Sequence, residues 1–300
     1  MPPKSSSSPE KPNTKHIAAK TASEEAWHEF LREVAAKRGE LDFRESLPSA
    51  KEEALYRGHR NDGYKLLPAL QHHCAEHKMD LIEVKDLESD LFFEFQARAA
   101  HLHPDVNDDW EMLFLMRHYG MATRLLDWTS VLGIAVFFAL RRASTEDTPH
   151  IWVLNPYLMN SKNGYTGVRD FVAPQYINEK EDYSDMLTNY DRAGMGWKRP
   201  FAVYPLTRWN ARLHAQRGYF TIHGDRNAPL DELMPKCVRR INIPLEAIPA
   251  GLDFLEVAGI NDYSIFPDLE GLKNDIHRSN RIGAENRPAK PPQKKGRKRE

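Results

Sequence analysis

One run constrains this chain more than any other: LDWTSVLGIAVFFAL, from Leu126 to Leu140. From Val131 onward it is apolar on nearly every helical face, so a helix here is surrounded by protein on all sides. The helix start then also lies deep, and its free backbone N–H groups need partners. Thr129 and Ser130 stand where a hydroxyl cap is expected, and Asp127 and Arg124 are close enough in sequence for an ion pair. The same helix start suits an anionic ligand. A structural cap and an anion seat therefore both fit these residues.

The remaining pattern is mixed. A helix is expected from a Ser23 cap to Gly39, with Trp27, Phe30, Leu31 and Val34 on one face. Further helices are expected over Val84–Leu102, from Asn107 or Asp108 to Tyr119, over Leu245–Val257 and over Asp268–Ser279. EALYRGHR, HIWVL, FAVYPL, GYFTIHG and KCVRRINIP have the β-branched and aromatic content of strands. The long polar stretch from Asn160 to Arg199 is expected to be an insertion or a functional loop. The fold class is α+β, in a single domain over residues 23–281 that includes the preceding helix. Residues 1–22, rich in Ser, Pro and Lys, and the tail 282–300 are expected to be disordered.

Charge and cysteine usage narrow the function classes. The net charge is −1, which speaks against a polyanion drawn to the whole surface. From Asn286 to Glu300, however, seven Lys/Arg face one acid, so the tail is a candidate tether for nucleic acid. Two cysteines, Cys74 and Cys237, give no disulfide framework, and a reducing compartment is expected. The opening MPPKSSSSPEKPNTK lacks a signal-type apolar segment, and no run suits a membrane helix; a cytoplasmic chain is expected. His73, Cys74 and His77 have chelating spacing on a helix, but no second ligand cluster accompanies them and no metal is expected. P-loop, GxSxG, HExxH and GxGxxG patterns do not occur.

Two further segments could bear chemistry. In LYRG, Arg57 at a strand end followed by Gly58 suits a clamp for phosphate or carboxylate, or a salt bridge to one of the acids. In RLHAQRGYFTIHG, Gln216 precedes the turn into a strand, where its amide could bind a ligand hydroxyl or tie down the turn.

Taken together, LYRGHR, FEFQARAAHLHP, LFLMRHYGMATRLLDWTSVLGIAVFFAL, RLHAQRGYFTIHG and GINDYSIFPDLEGL resemble the FRG domain family over about Leu55 to Ile276. That family is found mainly in bacteria and their phages, often in toxin or defence settings. Its motif order is similar to that of ADP-ribosyltransferases of the Arg–Ser–Glu type, which implies a split sheet surrounded by helices and NAD as substrate. On this resemblance Arg57 neutralises the pyrophosphate, while Thr129 and Ser130 hold the strand and the nicotinamide ribose. Trp128 precedes them, and Ala135 and Phe138 match the helix that follows. Gln216 falls where a catalytic Glu is expected; it keeps a hydrogen bond but no charge, and Asp127 is the candidate to supply it. Tyr56, Gly58, His118, Tyr119, Arg124 and Trp128 are expected around the cofactor. A transferase acting on nucleic acid or protein, with an antitoxin or other neutralising partner, is thus the leading reading. A nucleotide- or nucleic-acid-binding module without turnover and a nuclease-like effector stand beside it.

Overall fold

The computed structural model describes residues 14–41, 54–104, 106, 108–162, 200–203, 211–224, 227–280 and 282. The basic tail, most of the polar stretch after Asn160 and the start of the chain lie outside the described residues.

Among the described residues six strands form one antiparallel sheet: β1 (Leu55–His59), β2 (Leu125–Thr129), β3 (His150–Leu154), β4 (Phe201–Val203), β5 (Gly218–Ile222) and β6 (Val238–Asn242). Their order is β4-β5-β2-β1-β3-β6. Five positions pair between β2 and β5, and five between β1 and β3. Across the middle, β1 and β2 pair at one position only, Tyr56 with Thr129. The sheet therefore consists of two well-laddered halves joined at a parted seam, which is how the expected split appears.

Each half is covered by a helix, and both helices are coded by apolar runs. The helix Asp109–His118 lies on the β4-β5-β2 half, where Leu113, Phe114 and Met116 meet Leu125, Phe201 and Phe220. Its start is capped by Asp108, whose side chain accepts from Glu111 N at 3.0 Å. The helix Leu132–Leu140 lies on the other half, where Ala135, Val136 and Ala139 meet Ile151, Val153 and Ile241. Outside it lie the first helix, Thr14–Gly39, through Trp27, Phe30 and Val34, and the helix Ile248–Val257 through Leu255. The opposite face of the sheet buries Leu55, Leu126, Trp128, Trp152 and Tyr219.

The helix Leu132–Leu140 is as enclosed as its composition requires, but the hydroxyls do not cap it as expected. Its N-cap is Val131, with no side-chain cap, and Thr129 Oγ1 accepts from Val131 N at 3.1 Å. Gly58 explains how closely β1 approaches this helix. A Cβ at that position would lie 1.9 Å from the Ala135 carbonyl oxygen, so only glycine lets the strand seat there.

Two boundaries differ from expectation. The first helix begins at Thr14 rather than Ser23, so residues 14–22 of the segment expected to be disordered are helical. Ala18, Ala19 and Ala22 are strong helix formers, and Lys20 pairs with Glu24 at 3.8 Å. Ser23 is buried inside that helix and accepts from Ala250 N at 3.1 Å. The helix expected from Val84 starts at Leu81 and runs to Ala99, because Asp80 and Glu83 form a reciprocal capping box.

Candidate functional site: a cationic cleft at the parted seam

Where β1 and β2 stop pairing, their backbones need other partners. Arg57 supplies one: its Nη1 donates to the Asp127 carbonyl oxygen at 2.6 Å, across the seam. The same nitrogen lies 3.6 Å from Asp127 Oδ2. On its other edge, Arg57 Nε donates to His59 Nε2 at 2.9 Å. Burial, with the nearby Arg117 charge, lowers the Arg57 pKa, while Asp127 opposes that shift.

Asp127 is the centre of the cluster. Arg117, from the last turn of the helix Asp109–His118, donates from Nε to Asp127 Oδ1 at 3.2 Å and to Oδ2 at 3.0 Å, and its Nη2 also reaches Oδ2. Burial pushes the Asp127 carboxyl up, but the charge and hydrogen bonds of Arg117 and the charge of Arg57 outweigh it. The carboxyl is held below its ordinary value and is ionised at neutral pH. Asp127 in turn raises the Arg117 pKa.

The opening beside the seam is a cleft of about 440 Å³. Six cations line it: Arg57, Arg60, Lys65, Arg117, Arg141 and Arg142; among the described residues no carboxylate belongs to its lining. Some of that charge is answered nearby, since Arg60 pairs with Asp147 at 3.4 Å and Arg141 with Asp262 at 2.8 Å. Arg141 also lies over the Phe266 ring at 4.8 Å, and Arg212 over the same ring at 4.6 Å. Burial first, then the charge of Arg212, lowers the pKa of the half-buried His118. A cleft of this size with convergent guanidinium groups can hold a phosphorylated small molecule.

The residues picked out from the sequence divide into three groups. Arg57 and Asp127 meet at the seam, and Gly58 lines the cleft beside them. Thr129, Ser130 and Gln216 meet at the far end of β2. Thr129 Oγ1 donates to the Gln216 carbonyl oxygen at 2.8 Å, Ser130 N donates to the Arg217 carbonyl oxygen at 3.4 Å, and the Gln216 amide donates to the Ile265 carbonyl oxygen at 3.3 Å. Gln216 thus ties down its turn, one of the two roles open to it.

The third group belongs elsewhere. Arg124 does not pair with Asp127 and is not in the cleft. It is buried, donates to both Glu88 carboxylate oxygens and, from Nη1, to the His223 carbonyl oxygen at 3.1 Å. Trp128 is in the core, its Nε1 donating to Thr221 Oγ1 at 3.1 Å. Tyr56 packs with the cluster around the helix Leu132–Leu140. Tyr119 is exposed, with its hydroxyl 3.3 Å from His103 Nε2.

Sequence reasoning missed Arg117, His59, Arg141 and Arg212. Arg117 had a readable signal: it is the first base in the apolar helix MLFLMRH, at a C-terminal turn where a cation suits the helix dipole. Among the described residues no group of three or more His, Cys, Asp or Glu could hold a metal ion, and no helix is long and apolar enough to cross a membrane. His77, from the chelating-type cluster, bonds the His73 carbonyl oxygen through Nδ1 at 2.9 Å.

Fold and cleft together define an α+β protein with a guanidinium-rich opening at a split antiparallel sheet. The chain carries an FRG domain: the model of that family matches residues 52–148, which include Tyr56-Arg57-Gly58 and the whole HYGMATRLLDWT block. Gln216 and the segment around Phe266 lie beyond the matched span. No curated protein and no solved structure matches the chain.

Proposed function

We propose that this protein is an NAD-dependent ADP-ribosyltransferase acting as a toxin or phage-defence effector. One observation carries the reading. The three segments that resemble the transferase motifs, far apart in sequence, fall on or beside three adjacent strands, β1, β2 and β5, with the cationic cleft beside the β1–β2 seam. Arg57 and Arg117 suit the pyrophosphate of NAD, and Phe266 with its flanking guanidinium groups offers an aromatic surface nearby.

The chemistry asks for positioned groups. The bond between nicotinamide and ribose C1′ breaks, nicotinamide leaves with the electron pair, and an acceptor oxygen or nitrogen forms the new bond to C1′ and loses its proton. Positive charge on the ribose peaks between these events and is stabilised by a fixed anion. Gln216 has none to offer, and Asp127 is the ionised carboxylate next to Arg57. Nucleic acid is the favoured acceptor, with the basic tail as tether, and an antitoxin or other neutralising protein is the expected partner. A cytoplasmic location suits the two cysteines, both buried and neither in a disulfide.

A second reading has its own support. Because the Gln216 amide is already spent on Ile265, the domain also suits nucleotide binding without turnover. The two readings part in one experiment: nicotinamide release from NAD by the full chain with cell lysate as acceptor source, alongside ADP-ribose affinity by calorimetry. Release that Arg57→Ala abolishes supports the transferase. ADP-ribose binding with release at background leaves the binding module, and no binding at all rejects both.

A further inference from the structure

Arg57 is held from behind by His59, a residue of the LYRGHR segment to which the family resemblance assigns no role. Its Nε donates to His59 Nε2 at 2.9 Å while Nη1 crosses the seam to Asp127. A ring nitrogen that accepts has no proton, so His59 carries its proton on Nδ1. His59 is 5% exposed; burial, then the charges of Arg57 and His150, pushes its pKa down to about 2. Its neighbours keep to the same pattern. His150, paired opposite His59 on β3, meets its ring edge to face at 5.2 Å, and Nδ1 of His150 donates to the Thr148 carbonyl oxygen at 2.9 Å. Asp62 lies 3.8 Å from that nitrogen and is itself bound by Arg240; the Tyr64 ring lies 6.1 Å from His59.

The choice of a neutral acceptor has a consequence. A carboxylate behind Arg57 would orient the guanidinium and also cancel its charge. An imidazole orients it and leaves the charge to the cleft. Asp127 takes over only part of that cancelling role, since its carboxylate is engaged by Arg117 and meets Arg57 at 3.6 Å through one oxygen.

We propose that His59, in its Nδ1–H tautomer, is a positioning residue that fixes the Arg57 fork with its charge turned to the cleft, and so sets the affinity for a nucleotide pyrophosphate. This rests on the reading of the cleft as a nucleotide site. The test uses the full chain in two measurements. Long-range proton–nitrogen spectra of labelled wild type read the His59 tautomer directly: Nδ1–H, unchanged between pH 7 and about 5.5, is expected, and an Nε2–H or titrating ring overturns the proposal. Calorimetry with ADP-ribose then compares variants. His59→Leu, which removes the acceptor, weakens binding about tenfold, whereas His59→Gln, whose amide oxygen can accept from Arg57 Nε, stays within about threefold. Wild-type affinity in His59→Leu overturns it. If His59→Leu does not fold, the wild-type tautomer decides. If wild type binds no ADP-ribose, the nucleotide reading falls, and the tautomer together with slow exchange of the Arg57 Nε proton still decides whether His59 holds Arg57.

Discussion

Two arginines from one short block, Arg117 and Arg124, make the same kind of pair in opposite settings. Arg124 and Glu88 are sealed, with side chains 3% and 5% exposed, and the leftover donor is taken by the His223 carbonyl oxygen. Arg117 and Asp127 are 23% and 43% exposed, and their carboxylate is shared with Arg57 at the rim of a cleft. Each setting also holds a histidine neutral: burial and Arg124 push His223 down to about 3, and burial and Arg57 push His59 down to about 2. The lesson is that charge pairing alone marks nothing as functional. A buried pair with every donor answered holds the fold together, while a pair with water on one side and a third guanidinium beside it can exchange partners with a ligand.

The largest effect should come from breaking the sealed pair. Glu88→Ala strands the Arg124 charge in the interior and is expected to cost about 3–5 kcal/mol of stability, read by urea unfolding. A cost below about 1 kcal/mol would put this pair in the same class as the open one.

The next effect is on acid stability. His223 binds a proton at its ordinary pKa when unfolded but only near about 3 when folded. The unfolded state therefore takes up the proton first, so stability is flat above pH 6.5 and falls as pH drops from there toward the folded pKa. Replacing His223 with Met should make the decline between pH 6 and 5 shallower by about 1.4 kcal/mol per pH unit. His59 adds a similar decline by the same reasoning, so parallel curves for wild type and the Met variant would show that His223 is not buried as a neutral ring.

The open pair should answer differently. Arg117→Ala is expected to change stability by at most about 1 kcal/mol, because solvent screens the half-exposed carboxylate, yet to weaken ADP-ribose binding about tenfold. A stability loss as large as that of Glu88→Ala, with unchanged affinity, would erase the contrast. Asp127→Asn is the finest probe. Removing the anion between two guanidinium groups should tighten ADP-ribose about threefold while nicotinamide release falls. Looser binding with unchanged release would remove Asp127 from the proposed chemistry.

Particular residues show what could be read ahead of the structure. The helix from Leu132 to Leu140 announces its burial through composition, and Arg57 and Asp127 stand out as charges set among apolar neighbours. The pairing of Asp127 could not be read in the same way. Arg124 is three residues away, which suggests a local pair, but the intervening chain is extended and side chains three apart in a strand point to opposite faces. Asp127 instead meets Arg117, brought back over the sheet by the preceding helix, and Arg124 meets Glu88, 36 positions upstream. Trp128 was misplaced for a related reason: strand alternation sends it to the face opposite Asp127, into the core beside Thr221.

What the amino-acid order determines by itself is therefore local. It sets which runs must be buried, where Asp80 and Asp108 start helices, why residue 58 must be glycine once a helix lies on β1, and the presence of an FRG domain over residues 52–148. The tertiary structure decides which charges share a space. The β1–β2 ladder parts after one pair, Arg57 fills the gap, and cations from distant segments converge on it. Electrostatic energy depends on distance and on exclusion of water, and neither is a property of sequence separation.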